Sequence, residues 1–230
     1  MAHLSGEERS LYVRTMFTRI ARRYDLMNRL MTGGQDIRWR KRVIQLARLS
    51  RNVRLLDVGT GTGDLAREAL TQFPQAQVIA ADLTFEMMRA GQPRGALTFT
   101  AADALRLPFE STAFDAVVSG FLMRNVVDLQ RALEEQYRVL KKGGRIVILD
   151  TTRPKKNLFS PLIWLHMHIV IPALGRLLTG SSEAYRYLPE TTEAFVTAEN
   201  LASRMAAAQF KKINYQRLML GTIAIHGGEK

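Results

Sequence analysis

Three glycines at alternating positions follow a short apolar run in the segment LLDVGTGTGDLA, residues 55–66. The apolar run leads through Asp57 to Gly59, Gly61 and Gly63, and a segment of helical character comes next. Glycine permits tight turns and lets a ligand approach the backbone, while the amides that begin a helix attract electron-rich groups. The segment therefore predicts a strand, a ligand-binding loop and a helix, in that order.

The residues around this loop indicate its ligand. A dinucleotide-binding loop requires glycine three positions after Gly61, and this chain has Asp64 there. The Gly-Lys-Ser/Thr ending of a phosphate-binding loop is also absent. What remains is the Asp-x-Gly-x-Gly-x-Gly pattern of S-adenosylmethionine-dependent methyltransferases, whose cofactor carries a sulfonium and no phosphate. We therefore expect S-adenosylmethionine as the cofactor.

Two further carboxylates end the next apolar runs. Asp82 follows the second run, where it could accept hydrogen bonds from both ribose hydroxyls of the cofactor. Asp103 follows the third run and could accept from the adenine amino group, with Ala104 beside the ring. A single aspartate in such a place is ordinarily a turn residue. Three of them beside a glycine loop favour a binding site.

The elements that must position these residues alternate between short β-rich runs and helix-like segments. This alternation predicts right-handed crossovers and a Rossmann-like α/β fold, with a seven-stranded, mainly parallel sheet and an antiparallel C-terminal strand. Two last runs suggest a hairpin around Gly221. The predicted strands cover 53–59, 76–82, 96–103, 114–120 and 144–150, and the predicted helices cover 65–72, 85–90, 129–140 and 198–209.

The N-terminal region has a helical pattern from Glu7, which Gly33 and Gly34 interrupt before a second helix from Asp36 to Leu49. The segment TGSSEAYRYLPETTEAF shows no regular periodicity. We predict an N-terminal helical cap at 1–50 and a cofactor-binding domain at 51–230, with a helical insertion at about 155–190.

Residues 157–175 contain no Asp, Glu, Lys or Arg, and their number is close to the roughly 20 that span a bilayer. Two prolines and two histidines argue against spanning, so we expect a buried or interfacial helix. His166 and His168 are two residues apart and point to different faces, which disfavours a shared metal ion. One of them could face a substrate as a base, although packing is the interpretation that we favour.

The chain is strongly basic, with 33 Lys and Arg against 21 Asp and Glu and a formal net charge of +12. This surplus suits an anionic partner such as a membrane surface or nucleic acid. No cysteine is present, which excludes thiolate nucleophiles and cysteine-bound zinc. The N-terminus lacks an apolar signal region, so we expect a cytoplasmic protein with peripheral membrane contact left open.

Six segments together resemble the C-methyltransferases of ubiquinone and menaquinone biosynthesis. They are YDLMNRLMTGGQDIRWRK, LLDVGTGTGDLA, LPFESTAFDAVV, MRNVVDLQRALEEQYRVLKKGGRIVILD, AYRYLPET and AIHGG. The resemblance implies an enzyme that methylates a ring carbon of a prenylated quinol, most specifically demethylmenaquinol. It also implies contacts with the cofactor. Together with the residues of the glycine loop, the candidate cofactor-binding residues are Asp57, Gly59, Gly61, Thr62, Gly63, Asp82, Leu83, Asp103, Ala104, Ser119 and Gly120.

Arg124 and Asn125 lie at the end of the predicted fourth strand and are the candidate catalytic residues. Deprotonation of a phenol makes the ring a good carbon nucleophile, and a positive charge beside the phenolate oxygen lowers the cost of that deprotonation. Arginine itself is a poor proton acceptor, but Arg124 could polarise a water that carries the proton away, with Asn125 orienting that water or the ring oxygen. The alternative is that Arg124 pairs with a carboxylate and Asn125 caps the next helix. The predicted substrate contacts are Tyr24, Asn28, Tyr185 and Tyr187.

Other functions remain open at this point. The acceptor could be a different lipophilic molecule, such as a sterol or a small phenol. A basic RNA-binding protein with a methyltransferase-like fold is a further alternative, but the aromatic residues among its basic segments lie at positions that core packing explains as well. We therefore expect no nucleic acid partner, while a homodimer is compatible with the sequence.

Overall fold

The computed structural model describes residues 6–50, 52–154, 158–173, 175 and 183–230, without the side chains of 183–186 and 188. A seven-stranded sheet has the order β3-β2-β1-β4-β5-β7-β6, and only β7 runs antiparallel to its neighbours. The predicted fold class is confirmed. The strands are β1 (Arg54–Val58), β2 (Gln77–Asp82), β3 (Thr98–Ala101), β4 (Phe114–Gly120), β5 (Leu140–Thr151), β6 (Lys211–Leu218) and β7 (Ile223–Glu229).

Both faces of the sheet are covered, as continuous apolar strands require. Leu56 and Val117 face one layer of the core, whereas Leu55 and Val118 face the other. All four side chains are fully buried. Because β1, β2 and β4 run parallel, their carboxyl ends meet along one edge of the sheet. A doubly wound sheet binds its ligands at this edge.

Nine helices flank the sheet in the described part of the chain. They are α1 (Gly6–Ile20), α2 (Tyr24–Met31), α3 (Gln35–Ala47), α4 (Asp64–Gln72), α5 (Phe85–Gly91), α6 (Leu129–Val139), α7 (Ser160–Leu165), α8 (Glu183–Ala194) and α9 (Ala198–Ala207). Helix α7 continues into a π-helical segment, His166–Val170. No helix within the described ranges is long and apolar enough to cross a bilayer.

One prediction about the helices was wrong. The helical pattern from Glu7 does not run unbroken to Gly33, because a short 3-10 turn at Ala21–Arg23 redirects the chain. This turn lets Met16 of α1 and Met27 of α2 pack in one cluster with Tyr187. Helix α8 has Pro189 inside it, in a segment whose sequence shows no regular periodicity. Tyr187 and Thr192 are buried there, so tertiary packing outweighs the cost of the proline.

Candidate active site

The glycine loop between β1 and α4 depends on backbone conformations that favour glycine. Gly59, Gly61 and Gly63 all have positive φ values, of 68°, 58° and 90°. A Cβ atom on Gly59 would also lie 2.7 Å from the Cδ1 atom of Leu122. The amides of Gly59 and Thr60 both donate to the Ala81 carbonyl, at 2.8 and 3.0 Å, which holds the loop against β2.

Asp57 lies behind this loop and braces it. Its Oδ2 atom accepts from the Thr60 hydroxyl at 2.6 Å and from the Ala66 amide at 3.1 Å. The side chain is fully buried, and burial raises the pKa of Asp57 to about 7. Asp57 therefore joins the loop to α4 rather than facing the space in front of it.

A cavity of about 340 Å³ opens in front of the loop; we call it the loop cavity. Seven of the predicted cofactor contacts line it: Gly59, Gly61, Asp82, Leu83, Asp103, Ala104 and Gly120. The other four, Asp57, Thr62, Gly63 and Ser119, are not among its lining residues. Thr62 donates its hydroxyl to Asp25 at 2.8 Å, and Ser119 is fully buried below the end of β4.

The two strand-end carboxylates reach the loop cavity in different ways. Asp82 accepts from the Gly61 amide at 2.7 Å and from the Thr84 amide at 2.7 Å, one on each oxygen. Burial raises its pKa, against the effect of these hydrogen bonds. Asp103 accepts from the Leu105 amide at 2.9 Å and is exposed at the cavity rim. The Asp82 side chain lines the loop cavity at the end of β2.

Helix α1 forms a wall of the loop cavity that the sequence did not predict. Glu7, Arg14 and Phe17 line it from this helix. Arg9, on the same helix, donates to the Arg124 carbonyl at 2.9 Å. The helical pattern of α1 gave no sign of this position, since only the tertiary fold brings α1 to the carboxyl ends of the strands.

A second cavity of about 550 Å³ lies next to the first, and we call it the apolar cavity. Phe121 lines both cavities. It follows β4 directly and has a φ of 60°, which is strained for an aromatic residue. Leu162, Ile163 and Met167 line the apolar cavity, so the uncharged segment forms part of its wall.

Arg124 follows Phe121 in the segment after β4 and is almost fully buried. Its Nη1 atom lies 3.0 Å from Oδ1 of Asp150, and its guanidinium lies 5.2 Å from the centre of the Phe121 ring. The alternative predicted from the sequence, in which Arg124 pairs with a carboxylate, is therefore confirmed, and the carboxylate is Asp150. Burial raises the pKa of Asp150, and the Arg124 charge opposes that rise. Arg124 also lines the apolar cavity, so the ion pair does not remove it from the candidate site.

Asn125 does not cap the next helix, and that alternative was wrong. Its Nδ2 atom donates to the Phe121 carbonyl at 2.8 Å, and its Oδ1 atom accepts from the Tyr187 hydroxyl at 3.1 Å. Asp128 caps α6 instead, by accepting from the Arg131 amide at 2.9 Å. Asn125 lines the loop cavity, which fits a position beside bound ligands.

Comparison with known proteins identifies the family. A model of the ubiE/COQ5 methyltransferase family matches residues 4–230. The chain belongs to this family. It is 46% identical over 220 residues to a demethylmenaquinone methyltransferase from Thermus thermophilus, covering 94% of this chain and all of that one. It is 44% identical to a ubiquinone/menaquinone biosynthesis C-methyltransferase from Desulfotalea psychrophila, covering 95% and 90%.

Solved structures agree on the fold. The cyclase SpnF matches with a TM-score of 0.69 and 18% identity, over 95% of this chain and 94% of that one. A SAM-dependent methyltransferase from Thermotoga maritima matches with a TM-score of 0.68 and 18% identity, over 95% and 99%. The protein is therefore a class I methyltransferase in fold, and its family implies the use of S-adenosylmethionine.

The charges of the loop cavity fit such a cofactor. The charged residues that line it within the described part of the chain are Glu7, Arg14, Asp82 and Asp103. Carboxylates therefore outnumber basic groups, which suits a sulfonium and opposes a pyrophosphate. Leu83 and Ala104 add apolar surface for a purine ring.

The predicted substrate contacts are divided between the cavities. Tyr24 lines the loop cavity and Asn28 lines the apolar cavity. Burial raises the pKa of Tyr24, while the charge of Arg124 and a hydrogen bond with Asn28 lower it. Tyr187 is buried against Asn125, and the side chain of Tyr185 lies outside the described residues.

Proposed function

We propose that this protein transfers the methyl group of S-adenosylmethionine to a ring carbon of a prenylated quinol, with a demethylmenaquinol as the preferred acceptor. One observation carries the proposal: an apolar cavity shares Phe121 with the loop cavity and has the buried Arg124 in its wall. A methyl donor in the loop cavity and an apolar acceptor in the apolar cavity would both lie against Phe121. The names of the curated relatives support the same substrate class.

The methyl donor would lie along the carboxyl ends of β1, β2 and β4. Asp82 would accept from its ribose hydroxyls, because its carboxylate lines the loop cavity at the end of β2. Asp103 would accept from the adenine amino group, with Ala104 and Leu83 against the ring. The main chain at Gly59, Gly61 and Gly120 would allow close approach, whereas Asp57, Thr62, Gly63 and Ser119 would act through the shape of the loop and strand end.

When bound, the cofactor supplies an electrophilic methyl group, and this chain's residues prepare the acceptor. Arg124 would hold the quinol oxygen as it becomes a phenolate, because a fixed positive charge in an apolar cavity stabilises that anion more than water does. Asp150 fixes the guanidinium by its bond to Nη1. Asn125, held by Phe121 and Tyr187, would orient the ring beside the donor.

The polyprenyl tail would leave through the apolar cavity towards an exposed apolar surface. Leu158, Phe159, Leu162, Trp164 and Ile169 are exposed on and around α7, with Leu158 90% accessible. Side chains of this kind insert into the interface of a bilayer, and the formal charge of +12 would favour anionic lipids. Cosedimentation with anionic vesicles, compared with neutral ones, tests this association.

Methyl transfer to short-chain demethylated quinols tests the proposed reaction. Arg124→Lys keeps the positive charge but loses the planar, two-pronged geometry, so we expect the rate to fall by more than tenfold. Arg153→Lys is a matched control, because Arg153 is exposed and its guanidinium donates to two carbonyls of α8. A rate for Arg124→Lys within about twofold of wild type would show that arginine geometry is not required.

A further inference from the structure

The apolar cavity contains a second titratable side chain besides Arg124. Among its described lining residues, His166 is the only group of the kind that exchanges protons near neutral pH. Arg124 is a poor proton acceptor. The chemistry of phenolate formation nevertheless requires some group to take the proton of the quinol oxygen.

Local contacts fix which nitrogen of His166 is free. The Nε2 atom lies 3.1 Å from the Met31 carbonyl, which can only accept a hydrogen bond. The neutral ring therefore carries its proton on Nε2 and a lone pair on Nδ1. Helix α2, which contains Met31, thus holds the ring in one tautomer and one orientation.

The backbone at His166 is also unusual. His166 begins the π-helical segment His166–Val170, where the helix widens by one residue per turn. Such single-turn widenings occur frequently at functional sites. Here the widening follows α7, and it places His166 and Met167 at the apolar cavity.

We propose that His166 accepts the phenolic proton of the quinol during methyl transfer. This inference rests on the proposed function and assigns the proton acceptor that the proposed reaction requires. The sequence favoured a packing role for His166. The structure places the imidazole at the apolar cavity with a lone pair on Nδ1, which can accept a proton.

The step balances as follows. The quinol O–H bond breaks and its proton moves to Nδ1 of His166, which leaves an imidazolium and a phenolate beside Arg124. The ring carbon then forms its C–CH₃ bond while the S–CH₃ bond of the donor breaks, and the sulfur leaves as a neutral thioether. The displaced ring proton passes to water as the ring regains aromaticity, and the imidazolium returns its proton to the quinol oxygen.

Neighbouring groups are less suited to this task. Asp150 is fully buried and already bonded to Arg124 and to the Thr151 amide. Tyr24 lines the other cavity, and burial raises its pKa. His168 lies 3.3 Å from Glu193 and stacks on Trp164, outside the described lining of the apolar cavity.

His166→Gln isolates the role of the base, because the glutamine amide can still donate to the Met31 carbonyl while it cannot accept a proton. We expect kcat to fall by about 100-fold or more with a simple demethylated quinol. The affinity for S-adenosylmethionine and the melting temperature should stay unchanged. His168→Gln is the matched control in the same segment and should keep the wild-type rate.

A series of quinols with increasingly acidic phenols makes the test specific. If His166 takes the proton, the deficit of His166→Gln shrinks as the phenol becomes more acidic, because an ionised quinol needs no base. A deficit that is equal across the series, or smaller than about threefold, overturns the inference while an active wild type keeps the proposed function. A wild type that methylates no quinol overturns both.

Discussion

Replacement of Asp57 by asparagine should change how stability depends on pH. Asp57 is fully buried, and burial raises its pKa from 3.8 to about 7. The folded protein therefore keeps this proton up to neutral pH, whereas the unfolded chain releases it near pH 4. Unfolding releases a proton between these values, so rising pH favours the unfolded state.

The size of the effect follows from the difference between the two pKa values. At about 1.4 kcal/mol per pH unit, the shift from 3.8 to about 7 amounts to about 4 kcal/mol. This contribution is fully present below pH 3.8 and is lost as pH rises through about 7. About 3 kcal/mol of it should disappear between pH 5 and pH 8.

Asp57→Asn removes the titration while its amide oxygen can still accept from Thr60 and Ala66. Urea unfolding of both proteins without cofactor, from pH 5 to pH 8, should show the variant gaining about 3 kcal/mol relative to wild type. Asp115→Asn is the control. Partial burial raises the pKa of Asp115, but hydrogen bonds from Lys141 and from the Arg54 amide outweigh this effect, so the pKa is lowered.

We therefore expect a different dependence of the free energy of unfolding on pH for Asp115→Asn. The stabilisation from Asp115 is present above its unfolded pKa and is lost only as pH falls towards its lowered folded pKa, so its effect should be constant from pH 5 to pH 8. If the difference between wild type and Asp57→Asn were constant over this range as well, a pKa of Asp57 raised by burial would be refuted.

Three other changes test the packing around the site. Tyr187→Phe removes the 3.1 Å bond to Asn125 and should lower the free energy of unfolding by about 1 kcal/mol, as measured by urea titration. Gly91→Ala places a Cβ atom 2.2 Å from the Thr62 carbonyl, so it should destabilise the fold by about 1–3 kcal/mol and weaken S-adenosylmethionine binding in calorimetry. Asp150→Asn leaves a buried guanidinium without its charge partner and should cost about 3 kcal/mol in the same titration.

Much of the sheet could be predicted because its strands are short apolar runs bounded by turn residues. The predicted fourth strand, 114–120, coincides with β4, and the hairpin around Gly221 is present. The fifth strand was predicted too short, since β5 begins at Leu140 and passes through Gly143 and Gly144. Glycine weakens a strand pattern, although pairing with neighbouring strands holds it in place.

The site was harder to predict where side chains meet across long stretches of chain. Thr62 is a natural candidate for a ligand contact, but its hydroxyl donates a hydrogen bond to Asp25, which lies 37 residues earlier in the chain. Tyr187 donates to Asn125 across 62 residues, a pairing that no local spacing indicates. Local spacing identifies residues at strand ends, while their partners depend on how distant helices pack.

One measurement addresses the central claim most directly. Purified protein is incubated with S-adenosylmethionine carrying a labelled methyl group and a short-chain demethylmenaquinol, and the product is examined by mass spectrometry and NMR. We expect one labelled methyl group on a ring carbon, dependent on Arg124. Label on a quinol oxygen, or no transfer although both ligands bind, would contradict it.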